Sequence, residues 1–194
     1  MKVYLIRHAQ SEENILNLRN RTTVRVFNAM LHRSPEALLT EAGRIQALAL
    51  VERMAGERID RLYTSPFLRA LTTATTIGEA FGLTPEIVDD LREVMPHPLL
   101  ESRRSASMRR LWIQSYLAMI RARNGGESWA AAYRRAKAAW ARLTAEQSGT
   151  IAAVSHRALI WLILLSLRRD RRWRIVTRDL SNGGISLIVS RNHP

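Results

Sequence analysis

The sequence predicts one α/β domain in which a mainly parallel central sheet is flanked by helices. Three observations carry this. Short apolar, partly β-branched runs end abruptly in polar residues, as buried parallel strands do. Stretches with apolar residues at helical spacing separate those runs. A chain of 194 residues, 46% apolar and 24% charged, suits a single sizeable core.

The first strand is expected at residues 3–6, Val-Tyr-Leu-Ile, which leaves Arg7 and His8 at its carboxyl end. A helix follows behind Thr40 as N-cap and ends near Gly56. Residues 59–64 read as a second strand, and Ser65-Pro66 opens a helix with a capping hydroxyl and a first-turn proline. Arg69 falls in that helix's first turn, and Gly82 ends it. A brief strand at 86–88 leads into Asp90-Leu91-Arg92-Glu93, and Pro96 and Pro98 mark 94–107 as a loop. Helices are expected at 108–123 and 128–147, separated by Asn124-Gly125-Gly126. Residues 150–154 form another strand ending at Ser155-His156, and 185–189 a further one.

Several classes drop out on composition. The longest apolar run, 158–167, is about half of the ~20 residues a membrane-spanning helix needs, so it reads as a buried helix. The first residues reach a polar motif too soon for a signal-peptide core, and a cytoplasmic protein without a membrane partner is expected. With no cysteine there is no disulfide frame, thiolate metal site or thiol nucleophile. The formal charge of +13, 30 basic against 17 acidic residues, is almost all arginine. Arg103-Arg104, Arg109-Arg110 and Arg134-Arg135 are not interleaved with the aromatics a base-stacking surface uses, so a solvated arginine-rich surface is expected and nucleic acid is not the expected partner. The arginines between 168 and 174 are the one candidate docking patch. The five tryptophans read as packing.

In parallel α/β sheets ligands gather beyond the carboxyl ends of strands, near a topological switch point. His8, His156 and the segment leading to Arg69 all stand at such ends. The local strings are specific. Arg7-His8-Ala9-Gln10-Ser11-Glu12-Glu13-Asn14 resembles the signature R-H-G-[EQ]-[ST]-x-x-N of the histidine phosphatase superfamily, also called the phosphoglycerate mutase-like family. Leu39 to Ala47 is similar to its L-T-x-x-G-x-x-Q-A. Ser65-Pro66-Phe67-Leu68-Arg69-Ala70 with Thr73-Ala74, then Leu91-Arg92-Glu93, then Val154-Ser155-His156 follow in family order. Five ordered matches identify residues 1–194 as one domain of that type, with a divergent substrate loop and helical segment at about 94–127.

The resemblance implies a phosphoglycerate mutase-like fold and a metal-independent, cofactor-free phosphatase acting on a small phosphorylated substrate. A phosphomutase or phosphotransferase using the same intermediate, or a weakly active phospho-ligand-binding module, are the alternatives. It implies His8 as nucleophile, Arg7 and Arg69 as a phosphate clamp, His156 as a donor to the phosphoryl oxygens, and Glu93 as the acid that protonates the leaving alkoxide. Those residue types suit the chemistry. A phosphate monoester carries about −1.5 to −2 charge, its transfer depends on positioning and charge stabilisation, and arginine offers planar paired donors. Gln10, Ser11 and Asn14 are expected to add polar contacts to substrate. Asp89, Asp90 and Glu101 are competing acids near Glu93. Gly126-Glu127-Ser128 resembles a short family element and reads equally as a capped helix start. His32, His97 and His193 match nothing and read as surface or loop histidines, His97 being notable for its closeness to Glu93.

Two departures stand out. Arg157 replaces the glycine usual after the second histidine, and either tightens anion binding or points away. Met95-Pro96-His97-Pro98 stands where many relatives carry F-G-x-W-E-G, so the substrate-selecting loop cannot be copied from them.

Overall fold

A computed structural model describes residues 1–102, 105–121, 126–146 and 149–191. Arg103-Arg104, Arg123, the Asn124-Gly125 part of the expected break, Gln147 and His193 lie outside the described residues. The strands are β1 (Lys2–Arg7), β2 (Arg21–Thr23), β3 (Arg61–Thr64), β4 (Glu86–Ile87), β5 (Ser105–Ser107), β6 (Thr150–Ser155), β7 (Trp173–Ile175) and β8 (Ile185–Ser190). The α-helices are α1 (Val24–Arg33), α2 (Glu41–Met54), α3 (Leu68–Phe81), α4 (Met108–Arg121), α5 (Trp129–Leu143) and α6 (Arg157–Leu167).

Six strands form one sheet in the order β4-β3-β6-β1-β8-β7. The pairs β4·β3, β3·β6 and β6·β1 are parallel, while β8 and β7 add an antiparallel edge beside β1. The expected mainly parallel sheet is therefore present, and its exception is the carboxyl-terminal strand pair. Alternation along the central strands explains the two helix layers, because successive side chains point to opposite faces. Val3, Leu5, Ile151 and Ala153 meet α5 and α6, while Tyr4, Ile6, Ala152 and Val154 meet α2 and α3. Both faces are covered, which is why these strands are apolar throughout.

The helix starts follow local chemistry. Thr40 accepts from the Gly43 amide and caps α2, and Ser128 accepts from the Ala131 amide and caps α5. The helix expected at Ser65-Pro66 begins later, at Leu68, because the Ser65 hydroxyl accepts from the Phe67 amide and holds the intervening turn outside the helix. Gly82, in left-handed conformation at φ 66°, ends α3 as expected. Among the described residues no helix is long and apolar enough to cross a membrane.

The region between the first motif and Thr40 holds structure that periodicity does not announce. β2 pairs with β5 in a small ribbon, and α1 packs on α4 through Val24, Phe27, Leu31 and Leu111. This unit covers the carboxyl end of the sheet and brings α4 over it.

Candidate active site

Strand register assembles the site. β1 and β6 run parallel with Arg7 opposite Ser155, and the His8 amide donates to the Ser155 carbonyl at 2.9 Å. His8 and His156, the next residue on each strand, therefore stand side by side, their ring centroids 5.0 Å apart. β3 lies against β6 with Thr64 opposite Val154, which delivers Ser65, Phe67 and α3 to the same end. This is where the sheet's strand order reverses, the usual ligand site of such folds.

The His8 ring is buried and doubly tied. Nδ1 lies 2.7 Å from the Ala9 carbonyl, and Nε of Arg69 lies 3.1 Å from Nε2. A carbonyl can only accept and the guanidinium can only donate, so the proton belongs on Nδ1 and the lone pair on Nε2. Burial first, then the Arg69 charge, hold the imidazole well below its ordinary pKa of 6.5, so the ring is neutral at pH 7. His156 is also pushed down, first by burial and then by His8 and Arg69. Its Nε2 meets the Ser65 hydroxyl at 2.7 Å, and its buried Nδ1 has no hydrogen-bond partner among the described residues.

Arg69 is almost fully buried. It donates from Nη1 to the Ser34 carbonyl at 2.6 Å, lies 3.6 Å from the Glu13 carboxylate, and rests over the Phe67 ring. Arg7 donates from Nη1 to the Leu180 carbonyl, while its buried Nε has no partner among the described residues. Glu93 accepts from the Val94 amide at 2.9 Å. Burial raises its carboxyl pKa against the opposing pull of that amide and of Arg69 and Arg7.

Arg7, His8, Arg69, Glu93, Asn14 and Arg157 all line one cavity of about 560 Å³, while His156 lies buried just beneath, against His8. Gln10 and Ser11 are not on its wall. The Gln10 side chain accepts from the Thr40 hydroxyl at 2.8 Å, and Ser11, fully buried, donates to Asn14 Oδ1. Both bind the motif loop to its surroundings. Asn14 is held by Ser11 and by Asn182, whose amide donates to it at 2.7 Å. Of the competing acids, Asp89 pairs with Arg92 at the surface, Asp90 offers its carbonyl to Arg135, and Glu101 is exposed. Among the described residues no group of three or more His, Asp or Glu side chains is placed to hold a metal ion.

Three expectations change. Arg135 is buried instead of solvated. It forms a two-pronged ion pair with Glu127, 2.7 Å on both prongs, and donates to the carbonyls of Asp90, Arg92 and Glu93, bracing the segment that carries Glu93. His97 is buried as well, its Nε2 3.0 Å from the Glu127 carbonyl with Gly126 packed on the ring. Three of the five tryptophans, Trp112, Trp129 and Trp161, line the cavity; Trp140 and Trp173 pack edge to face in the core. Glu13 and Ser34 are further wall residues that the motif reading passed over. Glu13 occupies a free position of the motif, and only the 3-10 turn Glu12–Ile15 turns it inward.

Fold and site thus define an α/β protein with a cavity lined by arginines and a histidine at the switch point of its sheet. Comparison with known proteins narrows the class. Residues 3–193 match the histidine phosphatase superfamily (branch 1), and the chain belongs to that family. It is 25% identical over 202 residues to phosphoserine phosphatase 1 of Hydrogenobacter thermophilus, covering 99% of this chain and 89% of that protein. A putative phosphoserine phosphatase 2 of the same organism is 33% identical over 93 residues, spanning 48% of this chain and only 40% of that relative. The crystal structure of phosphoglycerate mutase from Bacillus anthracis superposes with TM-score 0.69 at 17% identity, covering 98% of this chain and 88% of that one. The last likeness concerns the fold alone. Family and curated relatives together support a phosphatase, with the substrate left unspecified.

Proposed function

We propose that this chain hydrolyses a small phosphate monoester through a phosphohistidine on His8, without a metal ion. The observation that carries the reading is the neutral His8 ring, whose Nε2 lone pair faces the cavity beside Arg7 and Arg69. A phosphate arriving there draws the Arg69 donors to its own oxygens and frees that lone pair. Arg7 Nε and His156 Nδ1, both buried without a partner among the described residues, supply further donors. In the tautomer whose Nε2 accepts from the Ser65 hydroxyl, the His156 proton sits on Nδ1, and that N–H is the donor assigned to a phosphoryl oxygen as charge shifts in the transition state.

The steps balance without outside reagents. Nε2 of His8 attacks phosphorus, the ester P–O bond breaks, and Glu93, whose carboxyl pKa burial raises, acts in its acid form and gives its proton to the leaving alkoxide. The Glu93 carboxylate then takes a proton from water, whose oxygen displaces the P–N bond and releases phosphate. The exposed rim residues Arg157, Trp161 and Arg178 leave the cavity open to the solvent that supplies this water, which favours hydrolysis over transfer back to a bound alcohol. A cytoplasmic setting accords with a small phosphorylated substrate.

The test is phosphate release from a generic aryl phosphate by wild type and His8→Ala, with and without chelator. Release is expected only from wild type and should persist under chelation. Equal release by both proteins would overturn the assignment of His8, and abolition by the chelator would overturn the metal-free step.

A further inference from the structure

The cavity is much larger than a phosphoryl group needs, and the composition of its outer part is specific. Trp112, Tyr116 and Trp129 form a continuous stack along one wall, each neighbouring pair of rings 5.8 Å apart and within 23° of parallel. α4 supplies two of these rings one turn apart, and Trp129 opens α5 and donates its indole N–H to the Tyr116 carbonyl. α6 adds Arg157 and, one turn later on the same face, Trp161. Trp161 is 40% exposed, an indole left at the rim of a cavity instead of inside the core. Arg178 completes the outer charge.

The inner cavity therefore takes an anion, and the outer cavity offers aromatic side chains, the half-exposed Trp161 among them, together with guanidinium donors. A three-carbon acid has no flat surface to lay on aromatic rings, and a bare sugar offers them only its C–H groups. A planar heteroaromatic ring has such a surface, and its acceptor nitrogens and carbonyls match donors that cannot accept. Arg157 fits the same purpose: its charge reaches the inner site, lowering the pKa of Arg7 next after burial, while its side chain lines the same cavity as the rings.

We infer that the substrate is a phosphate monoester whose alcohol carries a planar heteroaromatic ring, seated against Trp112, Tyr116, Trp129 and Trp161. The inference rests on the proposed phosphatase reading for the placement of the phosphate at His8.

Calorimetric titration of the His8→Ala protein tests it without turnover. Adenosine 5′-monophosphate and ribose 5-phosphate share the phosphate and its primary ester; 2-phenylethyl phosphate and ethyl phosphate differ by a ring alone. Adenosine 5′-monophosphate should bind about tenfold more tightly than ribose 5-phosphate or better, in line with stacking on aromatic side chains, and Trp161→Ala should shrink that ratio to within about threefold. Equal affinities in that pair would overturn the inference, as would a preference confined to the phenyl pair or one that Trp161→Ala leaves unchanged. Phosphate release by wild type from the same compounds is read separately. Ring-selective binding without release would defeat hydrolysis and keep the ligand class, and release without ring selectivity would do the reverse.

Discussion

Arg69 donates from Nε to Nε2 of His8 across 3.1 Å, joining the second residue of α3 to the residue that follows β1. This bond leaves the His8 lone pair pointing at the cation that would receive the phosphate. Lysine at position 69 keeps the charge but loses the planar fork and one of the contacts to His8 and the Ser34 carbonyl. Arg69→Lys should lower kcat/KM on an aryl phosphate by about 100-fold or more, the usual scale for a transition-state donor. A variant within threefold of wild type would remove Arg69 from the phosphate clamp.

Glu93 and its brace form a second testable unit. Glu93→Gln should lose far more activity on alkyl phosphates than on aryl phosphates, because only the poor leaving group needs the proton. Equal losses would assign the acid elsewhere. Arg135 holds the carbonyls of residues 90, 92 and 93 while paired with Glu127, so Arg135→Lys should produce the same leaving-group pattern in weaker form with KM little changed. Glu127→Ala, which strands the Arg135 charge, should cost about 3 kcal/mol of stability in denaturant unfolding. A loss uniform across leaving groups would reduce the brace to a purely structural one.

The buried histidines give the pH dependence a definite sign. As pH falls through 6.5, the unfolded chain takes up protons on His8 and His156 while the folded chain, whose two values are depressed, does not. The unfolded state then binds more protons, and stability declines from pH 7 toward 5. Glu93 acts oppositely: its raised folded value means stability drains as pH climbs through the window above 4.5. Urea midpoints at pH 5 and 7 should differ by less in His156→Gln than in wild type. The acid limb of kcat/KM should lie below pH 6.5, and a limb centred above that would show the free His8 ring to be protonated at neutrality.

Gly43 lets α2 touch the motif loop. A Cβ there would stand 2.0 Å from the backbone carbonyl oxygen of Gln10, which also accepts from the Thr40 amide. Backbone cannot yield as a side chain can, so Gly43→Ala should destabilise by about 2 kcal/mol or more and lower activity by shifting the loop that starts at His8. Wild-type melting and turnover in that variant would show the contact to be loose.

The sequence made legible those parts whose signals are local. β1 and β6 announce themselves as apolar runs cut off by charge, and the Thr40 and Ser128 caps and Gly82 stop mark helix ends because each acts within a few residues. Arg7, His8, Arg69 and Glu93, which line the cavity, stand in short ordered strings that the sequence displays directly. What depends on distant pairing was not legible. β7 and the β2·β5 ribbon are three-residue strands defined by partners far along the chain. Arg135 and its neighbour Arg134 look alike in sequence, and only the return of residues 90–93 toward α5 makes one of them a buried brace. Gln10 and Ser11 sit inside the motif, yet Thr40 and Asn14 claim their side chains. The aromatic wall needs α4, α5 and α6 to converge, which no spacing in one helix reveals.

The central claim is a covalent phosphoryl group on His8. Wild-type protein mixed with an aryl phosphate, quenched with alkali within milliseconds and analysed by peptide mass spectrometry, should carry an acid-labile phosphoryl group on the peptide containing His8, with the label accumulating in Glu93→Gln on a good leaving group because water attack is slowed. A quenched protein that turns over substrate yet bears no label, or bears it on any other residue, would contradict the account.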